Sequence, residues 1–429
     1  SLQYFSYNVI ENMDIAFIKP PQTYLFDPER NPPLGLMYVA AAAEEAGYCV
    51  EYVNFSKIEG IDFLQTVPKA DIYAFTVSIL DYEFSHKLAG ELKDRNRCVI
   101  VFGGVLPTTA PELIDYRVVD TVIMGEGEKA FLDFLNDFSQ RGKISEKYMS
   151  SPINDLDTVN FPLREGMAFI SNTILGEEIS STTIITSRGC PFDCTFCASK
   201  TVWGQKVRFR SGENVLAEID NLIKDYDIKG LRLLDDTMTL RMDRFKKLCS
   251  GLNERKIFWR CSTRSNLVTE ELAKLMHDSG CMEVGVGVET ADPKVLKFLG
   301  KGVKIEEHEM AIKILKNVGM NVACFFMAGL PGESEETPEL NISFVKRTRP
   351  DRIFCATFMP YPGTEIWRDP EKYEVKIITK NLSKYNQVSG VGEEDREFAV
   401  IPFGLSYKQL SQNRKKMIDF LMSENKLRG

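Results

Sequence analysis

Short apolar runs alternate with longer amphipathic segments along the first third of the chain. The runs have the length of buried strands, and they occupy Asp14–Ile18, Val50–Asn54, Asp71–Val77, Cys98–Phe102 and Thr121–Met124. Segments with helical spacing of apolar residues lie between them, at Leu34–Ala46, Tyr82–Asp94 and Lys129–Phe138. Strands that alternate with helices predict an α/β fold in which a Rossmann-like, doubly wound parallel sheet is covered on both faces.

The same alternation returns after residue 181. Six strand candidates, each followed by a helical pattern, are Thr182–Thr186, Gly230–Leu234, Ile257–Cys261, Glu283–Val288, Asn321–Met327 and Arg352–Met359. In the helix after the second domain's first strand, apolar residues recur at Val215, Ile219 and Leu222 with charged residues between them. Six βα units are two short of the eight that close a barrel, and ligands of such folds lie at the carboxyl ends of the strands.

The polar stretch from Ser139 to Leu156, which contains Gly142 and Pro152, predicts a domain boundary. We therefore expect a first domain at 1–145, a linker at 146–181, a second α/β domain at 182–365 and a C-terminal extension at 366–429. The extension contains one clear amphipathic helix, which is expected at Ser406–Leu421 with Ser406 as its cap.

Composition narrows the class of protein. The 429 residues carry a net charge of −8 without an extended basic block, so nucleic acid is not an expected partner. No apolar run approaches the ~18–20 residues of a membrane span, and the first residues lack the pattern of a signal peptide. Ten cysteines without an export signal favour a reducing compartment over disulfides. The expectation is a cytoplasmic protein with no membrane partner.

Three of the cysteines form the chemically most informative feature. Cys190, Cys194 and Cys197 have the spacing C-x3-C-x2-C and directly follow the strand-like run Thr182–Thr186. Thiolates are the usual ligands of iron–sulfur clusters, and three of them leave the fourth iron of a cubane open to a small molecule. A zinc site more often uses two Cys-x2-Cys pairs, and this sequence has no second pair. The remaining alternative is three structural cysteines.

The segment SRGCPFDCTFC resembles the cluster motif of the radical S-adenosylmethionine (SAM) enzymes. The resemblance implies an open, partial (β/α)6 barrel and a 4Fe–4S cluster held by Cys190, Cys194 and Cys197. It also implies that the open iron chelates the amino and carboxylate groups of SAM, which is then reductively cleaved to a 5′-deoxyadenosyl radical. An aromatic residue precedes the third cysteine in this family, near the adenine, and Phe196 matches it.

Polar residues at the ends of later strands match the places where the family contacts SAM. Asp235 and Asp236 close an apolar strand, a costly position unless a cation or donor meets them. The resemblance assigns them to the SAM ammonium; a helix N-cap is the alternative. Ser262 and Arg264 follow the next strand, where the guanidinium would clamp the SAM carboxylate or else be a plain surface group. Glu289 would contact the ribose or form a loop salt bridge.

Small and acidic residues stand at the ends of the strands of the first domain. Gly103, Gly104, Gly125, Glu126 and Gly127 follow its last two predicted strands. Glycine lets a flat ligand approach the backbone, although each of these could be a tight turn alone.

The N-terminal segment PPLGLMYVAAAAEEAGYCV, together with these glycines, resembles the cobalamin-binding domain that precedes many radical SAM domains. The resemblance implies cobalamin as a further cofactor. One common cobalamin fold supplies a cobalt ligand from Asp-x-His-x-x-Gly. The three histidines here, His86, His277 and His308, do not occur in that pattern. Some members of the family without this histidine bind cobalamin with no protein imidazole on the metal, and others keep the fold but have lost the ligand.

These features together predict an enzyme that methylates an unactivated carbon, or less often phosphorus, of a small metabolite or natural-product intermediate. The radical would abstract hydrogen and methylcobalamin would donate the methyl group. One alternative is a radical dehydration, rearrangement or epimerisation without methyl transfer, with or without cobalamin. Another is a non-catalytic iron–sulfur or corrinoid carrier. The expected partners are the small-molecule substrate and an external one-electron donor such as flavodoxin or ferredoxin.

Overall fold

A computed structural model of the chain describes residues 14–22, 32–55, 63–165, 170–174, 177–385 and 398–424. The chain divides into two compact units. The first comprises Ser1–Ala168 with Thr201–Trp203, and the second comprises Phe169–Lys200 with Gly204–Gly429.

The first unit contains a six-stranded, all-parallel sheet with the order β2-β1-β3-β4-β5-β6. Its strands are β1 (Asp14–Lys19), β2 (Cys49–Asn54), β3 (Ile72–Thr76), β4 (Val99–Gly103), β5 (Thr121–Met124) and β6 (Lys147–Met149). The parallel sheet predicted from sequence is confirmed. The sixth strand was not anticipated, because its three residues are too few to show a period and alternate between exposed and buried positions.

Helices cover both faces of this sheet. They are α1 (Leu34–Glu45), α2 (Phe63–Thr66), α3 (Tyr82–Arg95), α4 (Val105–Thr109) and α5 (Gly127–Arg141). Ala74 and Val101 face a core that they share with α1 and α5. Phe75 and Phe102 alternate to the other face, where the Tyr82 ring of α3 meets Phe102 edge-on.

The second unit is a half-barrel of six parallel strands with one antiparallel strand at its edge, in the order β15-β14-β13-β12-β11-β8-β7. The strands are β7 (Ile170–Ile174), β8 (Glu177–Ile184), β11 (Gly230–Leu233), β12 (Phe258–Thr263), β13 (Cys281–Glu289), β14 (Asn321–Ala328) and β15 (Arg352–Thr357). A separate pair, β9 (Ser187–Arg188) and β10 (Arg208–Phe209), is antiparallel. All six predicted strands are present, and the partial barrel is confirmed.

The helices of this region begin after the strands, as the alternation predicts. They are α6 (Ser199–Trp203), α7 (Gly212–Tyr226), α8 (Met242–Glu254), α9 (Glu270–Asp278), α10 (Pro293–Phe298), α11 (Ile305–Asn317) and α12 (Thr337–Thr348). Outward-facing strand residues, including Trp259 and Phe326, pack against α7, α8, α9, α11 and α12 in one core. Cys261, Cys324 and Cys355 belong to that core, so they do not reach the inner face of the half-barrel.

The C-terminal extension follows β15. It contains α13 (Glu365–Arg368), β16 (Val375–Ile377), β17 (Val400–Pro402) and α14 (Tyr407–Ser423), and β16 pairs with β17 antiparallel. Helix α14 begins after Ser406, whose hydroxyl accepts a hydrogen bond from the Gln409 amide in a capping box, as predicted. Within the described part of the chain, no helix combines the length and apolarity needed to cross a membrane.

Two glycines at equivalent positions of the half-barrel differ in how closely the neighbouring backbone approaches them. Gly280 and Gly319 each link a helix to the next strand, with φ of +88° and +85°. A Cβ on Gly280 would lie 2.7 Å from the Ile257 carbonyl oxygen, whereas one on Gly319 would meet only the end of His277, at 3.7 Å. We expect Gly319→Ala to cost about 1 kcal/mol of stability, from φ alone. Gly280→Ala should cost about 3 kcal/mol because the backbone must also move.

Urea unfolding of the two variants measures the difference. Equal losses of stability would show that the close approach at Gly280 does not constrain the connection.

Candidate active site

The three cysteines of the sequence motif lie on the loop that follows β8, at the carboxyl end of the first strand of the half-barrel. Gly189 enters this loop with φ of +102°, and a Cβ there would lie 2.5 Å from the Lys206 carbonyl oxygen. The amide of Cys190 donates to the Gly204 carbonyl, and the amide of Cys197 donates to the Cys194 carbonyl at 3.1 Å. Glycine is therefore required at position 189, because the start of the loop passes close to the backbone of residues 204–206.

Thr195, between the second and third cysteines, is the main anchor of the loop. Its amide donates to the Leu299 carbonyl, and its hydroxyl donates to the Phe298 carbonyl, both at 3.0 Å. Its own carbonyl accepts from the Glu365 amide at 3.1 Å. The α10–α11 connection and the start of α13 thus hold the middle of the loop from two sides.

All three thiols are free, and Cys194 is buried while the other two are half-buried. Burial raises the pKa of the Cys197 thiol to about 11, and the nearby charge of Asp236 adds to this. Burial also raises the pKa of Cys190, with a smaller effect of Asp236. Deprotonating these thiols together requires a strong positive charge at the loop, and iron supplies such a charge.

A single metal ion and a cluster make different demands on the positions of their ligands. Among the residues that the structure describes, no three His, Cys, Asp or Glu side chains converge on one point as ligands of a metal ion. The cysteines of a 4Fe–4S cluster each bind a different iron, so their sulfurs need not converge in this way.

Asp235 forms hydrogen bonds that link the ends of two strands. It is buried at the end of β11 and accepts hydrogen bonds from the Thr186 amide at 2.7 Å, the Thr186 hydroxyl at 2.5 Å and the Ser187 hydroxyl at 2.5 Å. Burial raises the pKa of this carboxyl, and the three donors oppose the shift. The side chain therefore ties the end of β11 to the end of β8, directly before the cysteine loop.

Asp236 faces the cysteines instead. The residue is exposed, but burial of its carboxyl group raises the pKa of that group. The carboxylate accepts a hydrogen bond from the hydroxyl of Ser199, two residues after Cys197. Its negative charge acts on the thiols of both Cys190 and Cys197. Of the two adjacent carboxylates, Asp236 is the one available to a cationic ligand beside the loop.

Arg264, predicted as a carboxylate clamp, reaches under the cysteine loop. One terminal nitrogen, Nη1, donates to Cys194 Sγ at 3.2 Å, and the other, Nη2, donates to the Lys301 carbonyl. The guanidinium carbon lies 3.7 Å from the centroid of the Phe192 ring. Its Nε is buried and has no hydrogen-bond partner among the described residues. A buried donor of this kind fits a site that gains an acceptor when a cofactor binds.

Glu289 ends β13 at a bulge, with φ of +65°. Its carboxylate pairs with Lys301 Nζ at 2.6 Å, and both side chains are almost fully buried. A Cβ on Gly287 would lie 2.5 Å from Glu289 Oε1, so glycine is needed there for the ion pair to form. The salt bridge weighed as an alternative from sequence is present.

Two other predicted residues have fewer constraints. Ser262 is exposed on the inner face of β12 beside Gly285, and Phe196 is half-buried in the cysteine loop. Sequence reasoning missed Thr195, Phe192 and Lys301. The first two lie inside the cysteine motif, and that position could have marked them as part of the site. The sequence around Lys301 offers no comparable signal.

The predicted cofactor residues of the first unit lie at the carboxyl edge of its sheet. Gly104 has φ of +100°, and a Cβ there would lie 3.0 Å from the Val77 backbone; one on Gly127 would lie 2.7 Å from Val39 Cγ2 in α1. Both glycines therefore serve close packing. Glu126 is buried and accepts from the Ile153 amide.

Gly103 and Gly125 remain at this edge without close contacts to a Cβ. The exposed side chains of Val105 and Met149 follow β4 and end β6. Two glycines without nearby atoms, next to exposed apolar side chains, fit a broad, flat ligand at this edge, where ligands of parallel sheets bind.

Comparison with known proteins gives this architecture a family. Residues 184–345 match the radical SAM superfamily, and residues 28–135 match the B12 binding domain. The protein is a radical SAM enzyme with a B12-binding domain. A radical SAM domain implies a 4Fe–4S cluster and SAM, and a B12-binding domain implies cobalamin.

Among its relatives, this radical SAM enzyme is 29% identical to an uncharacterized methyltransferase of Pyrococcus horikoshii, over 84% of this chain and 83% of that protein. It is 27% identical to the anaerobic magnesium-protoporphyrin IX monomethyl ester cyclase of Rubrivivax gelatinosus, over 85% and 70%. The solved structure of the radical SAM methyltransferase TsrM from Kitasatospora setae superposes with a TM-score of 0.71 at 15% identity, over 97% and 92%. That last similarity shows the shared fold.

The two carboxylates of this radical SAM enzyme should differ in their effect on stability. Asp235→Asn places an amide where three donors converge, so we expect a loss of roughly 3 kcal/mol in the free energy of unfolding. Asp236→Asn alters an exposed residue and should stay within about 0.5 kcal/mol. Urea unfolding of the metal-free chain measures both. A small effect at Asp235, or a large one at Asp236, would contradict the division of roles.

Proposed function

We propose that this protein is a cobalamin-dependent radical SAM methyltransferase that acts on a small molecule. The observation that carries the proposal is the loop of three free cysteines at the carboxyl end of the first half-barrel strand, in a chain that also has a B12-binding domain. The methyltransferase relative of Pyrococcus horikoshii, which aligns over most of both chains, supports methyl transfer as the outcome.

In the second unit, Cys190, Cys194 and Cys197 would hold the cluster, which supplies the electron that cleaves SAM. Asp236 would accept a hydrogen bond from the SAM ammonium, because this residue is exposed beside two of the cysteines. Asp235 would act through its neighbour by fixing the end of β11.

Other groups would shape the rest of the SAM site. Phe196 would lie near the adenine, as in the family. Glu289, held by Lys301, would contact the ribose through its remaining acceptor positions. Ser262 would face the bound molecule from the inner side of β12. For Arg264, both terminal nitrogens already have partners, so its contacts favour a role at the cysteine loop over a clamp on the SAM carboxylate.

In the first unit, Gly103 and Gly125 would let the corrin ring approach the sheet edge, Gly104 would support that edge by its close packing against Val77, and cobalamin would supply the methyl group that is transferred. Glu126 and Gly127 would support this edge through the start of α5. His86 lies in α3 with its Nε2 3.3 Å from Asp115, an arrangement suited to a helix surface residue. Cobalamin would therefore bind here without a histidine from the Asp-x-His-x-x-Gly pattern.

A second candidate function is a radical reaction without methyl transfer. The similarity to the cyclase of Rubrivivax gelatinosus, whose level of identity is close to that of the methyltransferase relative, supports this second function. Either reaction could use the inner face of the half-barrel, where Ser262 is exposed beside the Phe325 ring that occupies the space over Gly285.

We further propose that the enzyme works in the cytoplasm with an external one-electron donor such as flavodoxin or ferredoxin. All ten cysteines are free, as expected in a reducing compartment. A donor is required because each cleavage of SAM consumes one electron.

Product analysis tests the function. Anaerobically reconstituted protein, reduced and given SAM with candidate substrates, should release 5′-deoxyadenosine together with S-adenosylhomocysteine in step with methylated product. 5′-Deoxyadenosine without S-adenosylhomocysteine would support the second candidate. Release of neither compound, from protein with a full complement of iron and sulfide, would overturn both.

The role of Asp236 can be measured separately. Asp236→Asn removes the negative charge that would meet the SAM ammonium, so we expect the Kd for SAM to rise about tenfold, the effect of losing one charge-assisted hydrogen bond. Equilibrium dialysis with the reconstituted protein gives this value.

The matched control is Asp193→Asn, an exposed carboxylate in the same loop that pairs with Lys200. It should leave SAM affinity unchanged. If the Asp236→Asn variant and the unaltered protein bind SAM with equal affinity, Asp236 does not contact SAM.

A further inference from the structure

One side chain outside the cysteine motif contacts a cysteine sulfur with a full positive charge. Arg264 Nη1 donates to Cys194 Sγ at 3.2 Å. The sulfur of Cys197 also has a donor, but that donor is the neutral backbone amide of Ser199, at 3.4 Å. The environment of Cys194 is thus electrostatically different from that of Cys197.

The position of Arg264 is fixed from several directions. The guanidinium lies over the Phe192 ring, with 3.7 Å between its carbon and the ring centroid. Its other terminal nitrogen, Nη2, donates to the carbonyl of Lys301, and the residue is 8% exposed. Stacking and two directed hydrogen bonds leave the side chain little freedom, so its charge stays close to the sulfur.

The residue next to Arg264 adds rigidity without adding charge. The hydroxyl of Ser265 hydrogen-bonds to Nδ1 of His308, and both side chains are fully buried. Burial, with the charges of Lys301 and Arg264, lowers the pKa of His308 to about 3, so this imidazole is neutral at physiological pH. Lys301 carries a second positive charge, but that charge is paired with Glu289.

We propose that Arg264 is a positioning residue that raises the reduction potential of the cluster through its charged hydrogen bond to the Cys194 sulfur. The inference rests on the cluster assignment within the proposed function. Reduction adds one negative charge to a cluster, and a nearby cation with an N–H···S bond stabilises the more negative state. Arg264 would therefore make the cluster easier to reduce by an external donor.

The test is a potentiometric titration of the reconstituted full-length protein, without SAM, followed by electron paramagnetic resonance of the reduced cluster. Arg264→Gln keeps a polar side chain and removes the charge, so the midpoint potential should shift to a more negative value. Arg264→Lys keeps the charge but loses the planar stack, and it should recover part of the shift. Arg255→Gln removes an arginine that pairs with Asp220 on the surface, and it should leave the potential unchanged.

Iron and sulfide analysis of each variant shows whether the cluster is complete. An unchanged potential in Arg264→Gln with a complete cluster would overturn the proposal. If that variant does not assemble a cluster, Phe192→Leu replaces it: it keeps Arg264 and the cysteines but removes the stacking surface. Its potential should also become more negative, and an unchanged value would again overturn the proposal. Because the titration uses neither SAM nor substrate, failure of methyl transfer would not affect its result.

Discussion

The half-barrel places three cysteines on one loop where their thiolates, the form that binds a cluster, need a positive charge to be stable. Burial raises the pKa of two of them, and the carboxylate of Asp236 beside them raises it further, so the loop alone does not favour the thiolates that a cluster needs. The fold meets this constraint with fixed backbone contacts at Thr195 and with the cation of Arg264 at Cys194. Iron would supply the further positive charge that the thiolates require.

The two faces of the half-barrel sheet separate stability from chemistry. Outward-facing residues such as Trp259 and Phe326 form a continuous core with the surrounding helices. Inward positions carry Ser262, Gly285 and Gly287, which contribute little to packing. The rings of Phe325 and Phe354 stack on the same inward side, outside the core that the outward-facing residues form.

The acidic residues of the site differ in burial, and this difference determines their roles. Asp235 is buried and satisfied by three donors, whereas Asp236 is exposed and beside the thiols. Glu289 occupies a strained left-handed position that its buried pair with Lys301 stabilises. Strained residues held by their surroundings are concentrated at functional sites, and this one ends a strand of the half-barrel.

Hydrophobic periodicity by itself determined the order of strands and helices, because strand and helix patterns depend only on which residues must be buried. It predicted five strands of the first unit and all six of the half-barrel, and it missed β6 and β7, which are an exposed three-residue strand and an edge strand. The spacing of Cys190, Cys194 and Cys197 likewise predicted the cluster loop, because the proposed ligands are local in sequence. Only the tertiary structure separated Asp235 from Asp236 and brought Arg264 and Lys301 to the loop. Those contacts join residues far apart in sequence, and burial, which decides their roles, is a property of the folded chain.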